Sequence, residues 1–126
     1  PMMQFSVAPW RILDERHFKA VLDAVNLRNK FKETILNLAK KASTTGEPIV
    51  RSMEYVYPHK GYVEITDQFM LGNNILVAPF LSKGEGSRKV ILPKGTWKSD
   101  AGKVYKGGKS ITIDVPLTRL PYFIKE

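Results

Sequence analysis

The feature that most restricts the fold of this chain is a change of hydrophobic period at Gly46. Ahead of it, Phe18, Val21, Leu22 and Val25 stand at the i, i+3, i+4, i+7 spacing of one helix face. Asp14 precedes that stripe, and an aspartate there can cap a helix by accepting from an orphan amide of its first turn. Leu27, Phe31, Ile35, Leu38, Ala39 and Ala42 continue the helical spacing in a shifted phase, which predicts a kink or break around Asn26 to Asn29. The stretch "STTGEP" then closes the helical part, with Gly46 as the stop and Pro48 preventing continuation.

Beyond Gly46 the chain reads as short strands. "PIVRSMEYVYP" is β-favouring and bounded by prolines, and the unbroken apolarity of "ILVAPF" suits a strand covered on both faces. Between them, "ITDQFMLGN" is expected to hold one helical turn capped by Asp67, with Phe69 and Met70 in the core. After the glycine-rich "SKGEGS", the segments "RKVILP", "GTWKS", "KVYKGG", "SITIDVP" and "LPYFIKE" are strands punctuated by glycine or proline. Ile111, Ile113 and Val115 alternate with Thr112 and Asp114, so one face is buried and the other wet. The expected class is α+β: an N-terminal helical segment followed by an antiparallel β-sandwich.

Composition narrows the function. The 126 residues fit one domain, or a small domain with part of another. No apolar run reaches the roughly 20 residues of a membrane span, and the N-terminus lacks the form of a secretory signal; the compartment stays open, because a mature chain would have lost one. There is no cysteine, and His17 and His59 are far apart, so disulfides and thiolate or histidine metal sites are not expected, nor is any cofactor. The net charge of +8 divides evenly, +4 before residue 46 and +4 after it. Such dispersed charge argues for solubility and against nucleic-acid binding, which needs a focused field. Lys94, Lys98, Lys103, Lys106 and Lys109 sit in turns and at strand ends, in keeping with that reading.

No catalytic constellation is legible. The twelve carboxylates fall mostly on helix faces, strand exteriors or turns, and none makes a convincing pair. The serines lack a nucleophile-elbow context, and "GEG" at Gly84 to Gly86 reads as a turn rather than a phosphate loop.

The ordered set "MMQFSVAPWR", "GEPIVRSMEYVYP", "DQFMLGNNILVAPF", "RKVILPKGTW", "YKGG" and "VPLTRLPYFIK" resembles the C-terminal part of family-31 glycoside hydrolases, the α-glucosidase and α-xylosidase family. The resemblance spans essentially the whole chain. It implies that residues 1–66 are the end of a (β/α)8 catalytic barrel of the TIM type, with Met3 to Ala8 as its seventh strand and Pro48 to Tyr55 as its eighth. Residues 67–126 would be the proximal β-sandwich. The family's retaining mechanism needs two carboxylates about 5 to 5.5 Å apart across one glycosidic bond. By resemblance both lie upstream of Pro1, and nothing here matches the nucleophile motif Trp-x-Asp-Met-Asn-Glu, so no catalytic residue is carried over.

Two residues are candidates for contact with an α-glycoside substrate in the intact enzyme. Many members carry Arg-Asn-His after the seventh strand where this chain reads "APWRILDER", which places Asp14 near that histidine; the alternative is a helix cap. Trp10, with Arg11, follows a strand end on the side where barrels place their sites, and either walls a sugar pocket or packs between domains. Arg51 either points into the barrel mouth or pairs with a neighbour. The implied role is structural support of the barrel by a non-catalytic segment, with self-association of the isolated chain expected from uncovered strand edges and helix faces. The competing reading is a stand-alone carbohydrate-binding sandwich, for which Trp97, Tyr105 and Tyr122 are the available aromatics.

Overall fold

The computed structural model describes residues 5–126, which form two compact units: residues 5–49 with Leu117–Arg119, and Val50–Pro116 with Leu120–Glu126.

The first unit is helical. Pro9–Arg11 form a 3-10 turn with proline at its start, where a missing amide costs nothing. α1 (Glu15–Lys30) begins at Asp14, whose carboxylate accepts from the His17 amide at 2.8 Å. The expected interruption falls slightly later than Asn26 to Asn29: Phe31 separates α1 from α2 (Lys32–Thr45), its amide shared between the carbonyls of Leu27 and Asn29. α2 ends at Gly46, which takes the left-handed conformation (φ 73°) and donates to Ala42 O. The hydroxyls of Ser43, Thr44 and Thr45 satisfy last-turn carbonyls of Lys40 and Lys41. No residue of either helix is fully buried. The implied strand Met3 to Ala8 lies partly outside the described residues, and its described part, Phe5 to Ala8, is not a strand.

The second unit packs two antiparallel sheets. One has six strands in the order β1 (Val50–Arg51), β2 (Phe69–Leu71), β3 (Ile75–Val77), β8 (Tyr122–Lys125), β5 (Thr96–Ser99) and β6 (Val104–Lys106). The other pairs β4 (Gly86–Leu92) with β7 (Lys109–Val115) over seven residue pairs. Register aligns Arg51, Met70, Leu76, Phe123 and Ser99 in one buried row across five strands of the six-stranded sheet, apolar in the middle and polar at both ends. Val90, Leu92, Ile113 and Val115 from β4 and β7 meet Met70, Leu76, Ala78, Trp97 and Phe123 in a single core. Ile75 to Ala78 are buried without interruption, in keeping with the continuous apolarity of "ILVAPF".

Two local expectations are corrected. "ITDQFMLGN" holds no helical turn: Phe69–Leu71 is strand β2, and Asp67 caps nothing but pairs with Arg88. The helical turn lies instead in the segment read as a strand, where only Val50 and Arg51 are extended and α3 (Met53–Val56) follows. Ser52 caps α3, accepting from the Tyr55 amide at 3.1 Å, and Met53 is wholly buried. A serine cap with an acid in the first turn outweighs the β propensity of Tyr55, Val56 and Tyr57. Phe69 to Leu71 go the other way because pairing on β1 and β3 decides their conformation.

Trp97 is fully buried, and its indole Nε1 donates to Pro93 O at 2.8 Å. Gly107 lies so close that a Cβ there would come within 1.9 Å of Pro93 O and 2.9 Å of Trp97 Nε1. Only glycine allows that approach.

Candidate functional site

The two residues singled out for sugar contact lie in the helical unit. Trp10, in the 3-10 turn, is 70% exposed. Asp14 follows four positions later, and its carboxylate serves both the His17 amide and the His17 ring, whose Nδ1 lies 2.7 Å away. The amide hydrogen bond, then the imidazole hydrogen bond, hold the Asp14 pKa below its ordinary value. Asp14 is therefore a helix cap, and it is solvent-exposed.

Two further acids, Glu54 and Asp67, also have structural work. Glu54 accepts from the amides of His59 (2.6 Å) and Tyr62 (3.3 Å), which fixes the loop after α3 and holds His59 in a left-handed conformation (φ 60°). Asp67 receives the Arg88 guanidinium at 2.9 Å. Among the described residues no group of three or more histidine, cysteine or acidic side chains stands close enough to hold a metal.

The stretch Asp67 to Phe80 ties the second unit together. Arg88 is 9% exposed, and its guanidinium donates to the carboxylate and carbonyl of Asp67 and to Pro79 O. Gln68 is buried beside it and acts as a substitute peptide group: its Oε1 accepts from Ile91 N at 3.0 Å and its Nε2 donates to Ile91 O at 2.8 Å. That joins the segment leading into β2 to the open side of β4, hence one sheet to the other. Asn73 receives Arg51, which also lies over the Tyr55 ring at 5.7 Å, and Asn74 O receives the Lys125 amide. Arg51 thus pairs with an amide rather than an acid at this contact.

Sequence reasoning missed Arg88 and Gln68. The signal was available for Arg88, which occupies the inward phase shared by Val90 and Leu92. A cation in an apolar slot must find acceptors.

The aromatics expected of a sugar-binding sandwich are spent on the core. Trp97 and Tyr122 are buried, and Tyr105 is half-buried edge-to-face with Phe123 at 5.9 Å. Tyr57 and Tyr62, both half-buried against that core, meet edge-to-face at 6.2 Å in the lining of a cleft of about 480 Å³.

Residues 46–126 match the model of the glycosyl hydrolase family 31 C-terminal domain. The chain is similar to the myogenesis-regulating glycosidase of Mus musculus, 34% identical over 98% of this chain and 18% of that protein. It is also similar to α-glucosidase 2 of Bacillus thermoamyloliquefaciens, 30% identical over 94% of this chain and 15% of that protein. The chain thus spans less than a fifth of the length of these curated relatives. Among solved structures, a family-31 α-xylosidase from a soil metagenome, complexed with xylose, superposes with a TM-score of 0.87 at 32% identity, covering 100% of this chain and 19% of that one. A family-31 dextranase of Flavobacterium johnsoniae, complexed with isomaltotriose, gives the same score and identity over 95% of this chain and 15% of that one.

Proposed function

Since the chain belongs to glycosyl hydrolase family 31, as its C-terminal domain, we propose that it works as the non-catalytic support of an α-glycosidase that hydrolyses α-glucosides or related α-glycosides with retention. The observation that carries this reading is the match of residues 46–126 to the family's C-terminal domain, in a chain where Asp14, Glu54 and Asp67 are occupied by amides, an imidazole and a guanidinium. Retaining hydrolysis needs one carboxylate to attack the anomeric carbon while a second protonates the leaving oxygen. In this reading both come from elsewhere in the protein.

The helical residues up to 49 then serve as the end of the catalytic (β/α)8 barrel and residues 50–126 as the proximal sandwich, an earlier boundary than the resemblance implied, because β1 and Met53 belong to the sandwich sheet and core. The helix pair, with no fully buried residue of its own, supports the first assignment, because amphipathic helices around a barrel are covered by neighbouring helices and strands. Trp10 supplies an exposed indole where a barrel loop would face an α-glycoside, and Asp14 orders the helix start beside it. Buttressing is achieved by the Asp67 to Phe80 stretch, which locks both sheets into one body.

The test is an assay of the 126-residue chain with an aryl α-glucoside, for which no turnover is expected. Turnover abolished by a substitution of any carboxylate in this chain would overturn the reading.

A further inference from the structure

The cleft beside Tyr57 and Tyr62 is floored by Ile91, Leu92 and Pro93 and rimmed by Lys60, Lys94 and Lys109. A second hollow, of about 630 Å³, shares Lys94 and Gly108 with it and adds Lys106. Four lysines from the loop after α3, the β4–β5 turn, the end of β6 and the start of β7 therefore surround adjoining hollows, and neither hollow is lined by an aspartate or glutamate. In sequence these lysines look dispersed; the strand connections bring them together.

The walls are also fixed. The Glu54 carboxylate pins the loop carrying Lys60 and Tyr62 through the His59 and Tyr62 amides. The far side is held by Gly108 N to Leu92 O at 2.8 Å, Gly107 N to Gly95 O at 2.7 Å and the Trp97 indole on Pro93 O. Lys125 Nζ lies 5.3 Å over the Tyr57 ring and 3.5 Å from its hydroxyl. Burial, then the neighbouring Tyr57, raises the Tyr62 pKa, so its hydroxyl remains a donor in mildly alkaline solution.

We infer that this cleft is a binding site for a short acidic oligosaccharide, such as one bearing uronate carboxylates. The Tyr62 ring offers the apolar surface on which a sugar's C–H face rests, while Ser110 and the Tyr62 hydroxyl meet its hydroxyls. The lysines, with no acid among them, select for negative charge. A single-stranded nucleic acid fits less well, because it wants phosphate contacts in a track and open platforms for successive bases. Here the lysines ring adjoining hollows rather than forming a track, and with Lys125 over Tyr57 and the rings at 86° the pair offers a stacking face for one sugar ring but not for a run of bases. The site lies wholly within the sandwich unit and does not rest on the proposed support role.

Calorimetric titration of the 126-residue chain with trigalacturonate, maltotriose and a short oligothymidylate tests the inference. Trigalacturonate should bind, with affinity falling as salt rises, and maltotriose should bind at least about tenfold more weakly. Lys60→Ala with Lys109→Ala should lower trigalacturonate affinity by about tenfold or more, while Lys98→Ala, on β5 outside both hollows, leaves it unchanged. All three positions are exposed, so the variants should fold, which their amide spectra would verify. Absence of trigalacturonate binding at millimolar concentration, equal binding of maltotriose, tighter binding of oligothymidylate, or indifference to the double substitution would each overturn it.

Discussion

The helical unit and the sandwich unit solve the same problem by opposite means. α1 and α2 present apolar stripes at helical spacing, yet none of their residues is fully buried; in the sandwich ten residues form one buried core. The helices are held by local devices, namely the Asp14 cap, the Gly46 stop and hydroxyls folded back on carbonyls. The sandwich is held by long-range ones, in which Gln68 and Arg88 reach partners about twenty residues away. Local devices make an element form, and only burial makes it stable on its own.

If that contrast is right, the largest effect should come from the sandwich core. Trp97→Ala should lower stability by about 3 to 5 kcal/mol in a denaturant titration, because a large buried indole is lost and Pro93 O loses its donor. A change below about 1 kcal/mol would mean that the core can dispense with it, and the contrast would fail. Next in size is Gln68→Leu, which leaves both backbone groups of Ile91 on the open side of β4 without their side-chain partner. A loss of about 1 to 3 kcal/mol is expected. Leu22→Ser, on the exposed face of α1, should alter stability by only about 0.5 kcal/mol either way. It should nevertheless weaken self-association, which sedimentation of the parent chain is expected to reveal at high concentration. A strictly monomeric parent chain would show that the helix faces need no further cover.

The smallest effect sharpens the comparison through pH. The carboxylate of Asp14 has a folded pKa below its ordinary value, so its contribution is fully present above that ordinary value and is lost as pH falls through the lower, folded one. The α1 amides near His17 should therefore lose protection in acid, while the sandwich core amides do not respond to this group. Asp14→Asn retains a capping side chain and should remove the pH dependence; persistence of the acid transition in that variant would assign it to another group.

The same contrast explains what could be read in the sequence. Asp14, Gly46 and the stripe from Phe18 to Val25 were legible because each signal and its structural partner lie within a few residues. The strands from Arg88 onward were legible because alternation and glycine or proline punctuation are also local. Where local and distant signals competed, the reading failed. Asp67 looked like a cap, but its partner is Arg88, 21 residues on, and "SMEYV" looked extended until the Ser52 cap and the burial of Met53 outweighed it. Trp97, one of the aromatics available to a sugar-binding sandwich, is instead buried in the core with its indole on Pro93 O. The lysine-rimmed hollows were invisible because their four lysines come from four separate stretches of the chain.

The position of β8 has a consequence for how the sandwich comes into being. Tyr122–Lys125 lie between β3 and β5, so these residues join β1–β2–β3 to β5–β6. Until they emerge from the ribosome, the half-sheets have no common strand, and the open sides of β3 and β5 are exposed to other chains. Assembly is thus delayed to the end of this stretch and dominated by non-local pairing, which makes it slow and prone to aggregation. A nascent sandwich of this design has reason to depend on chaperones, and removal of Tyr122 to Lys125 would split its larger sheet in two rather than fray an edge.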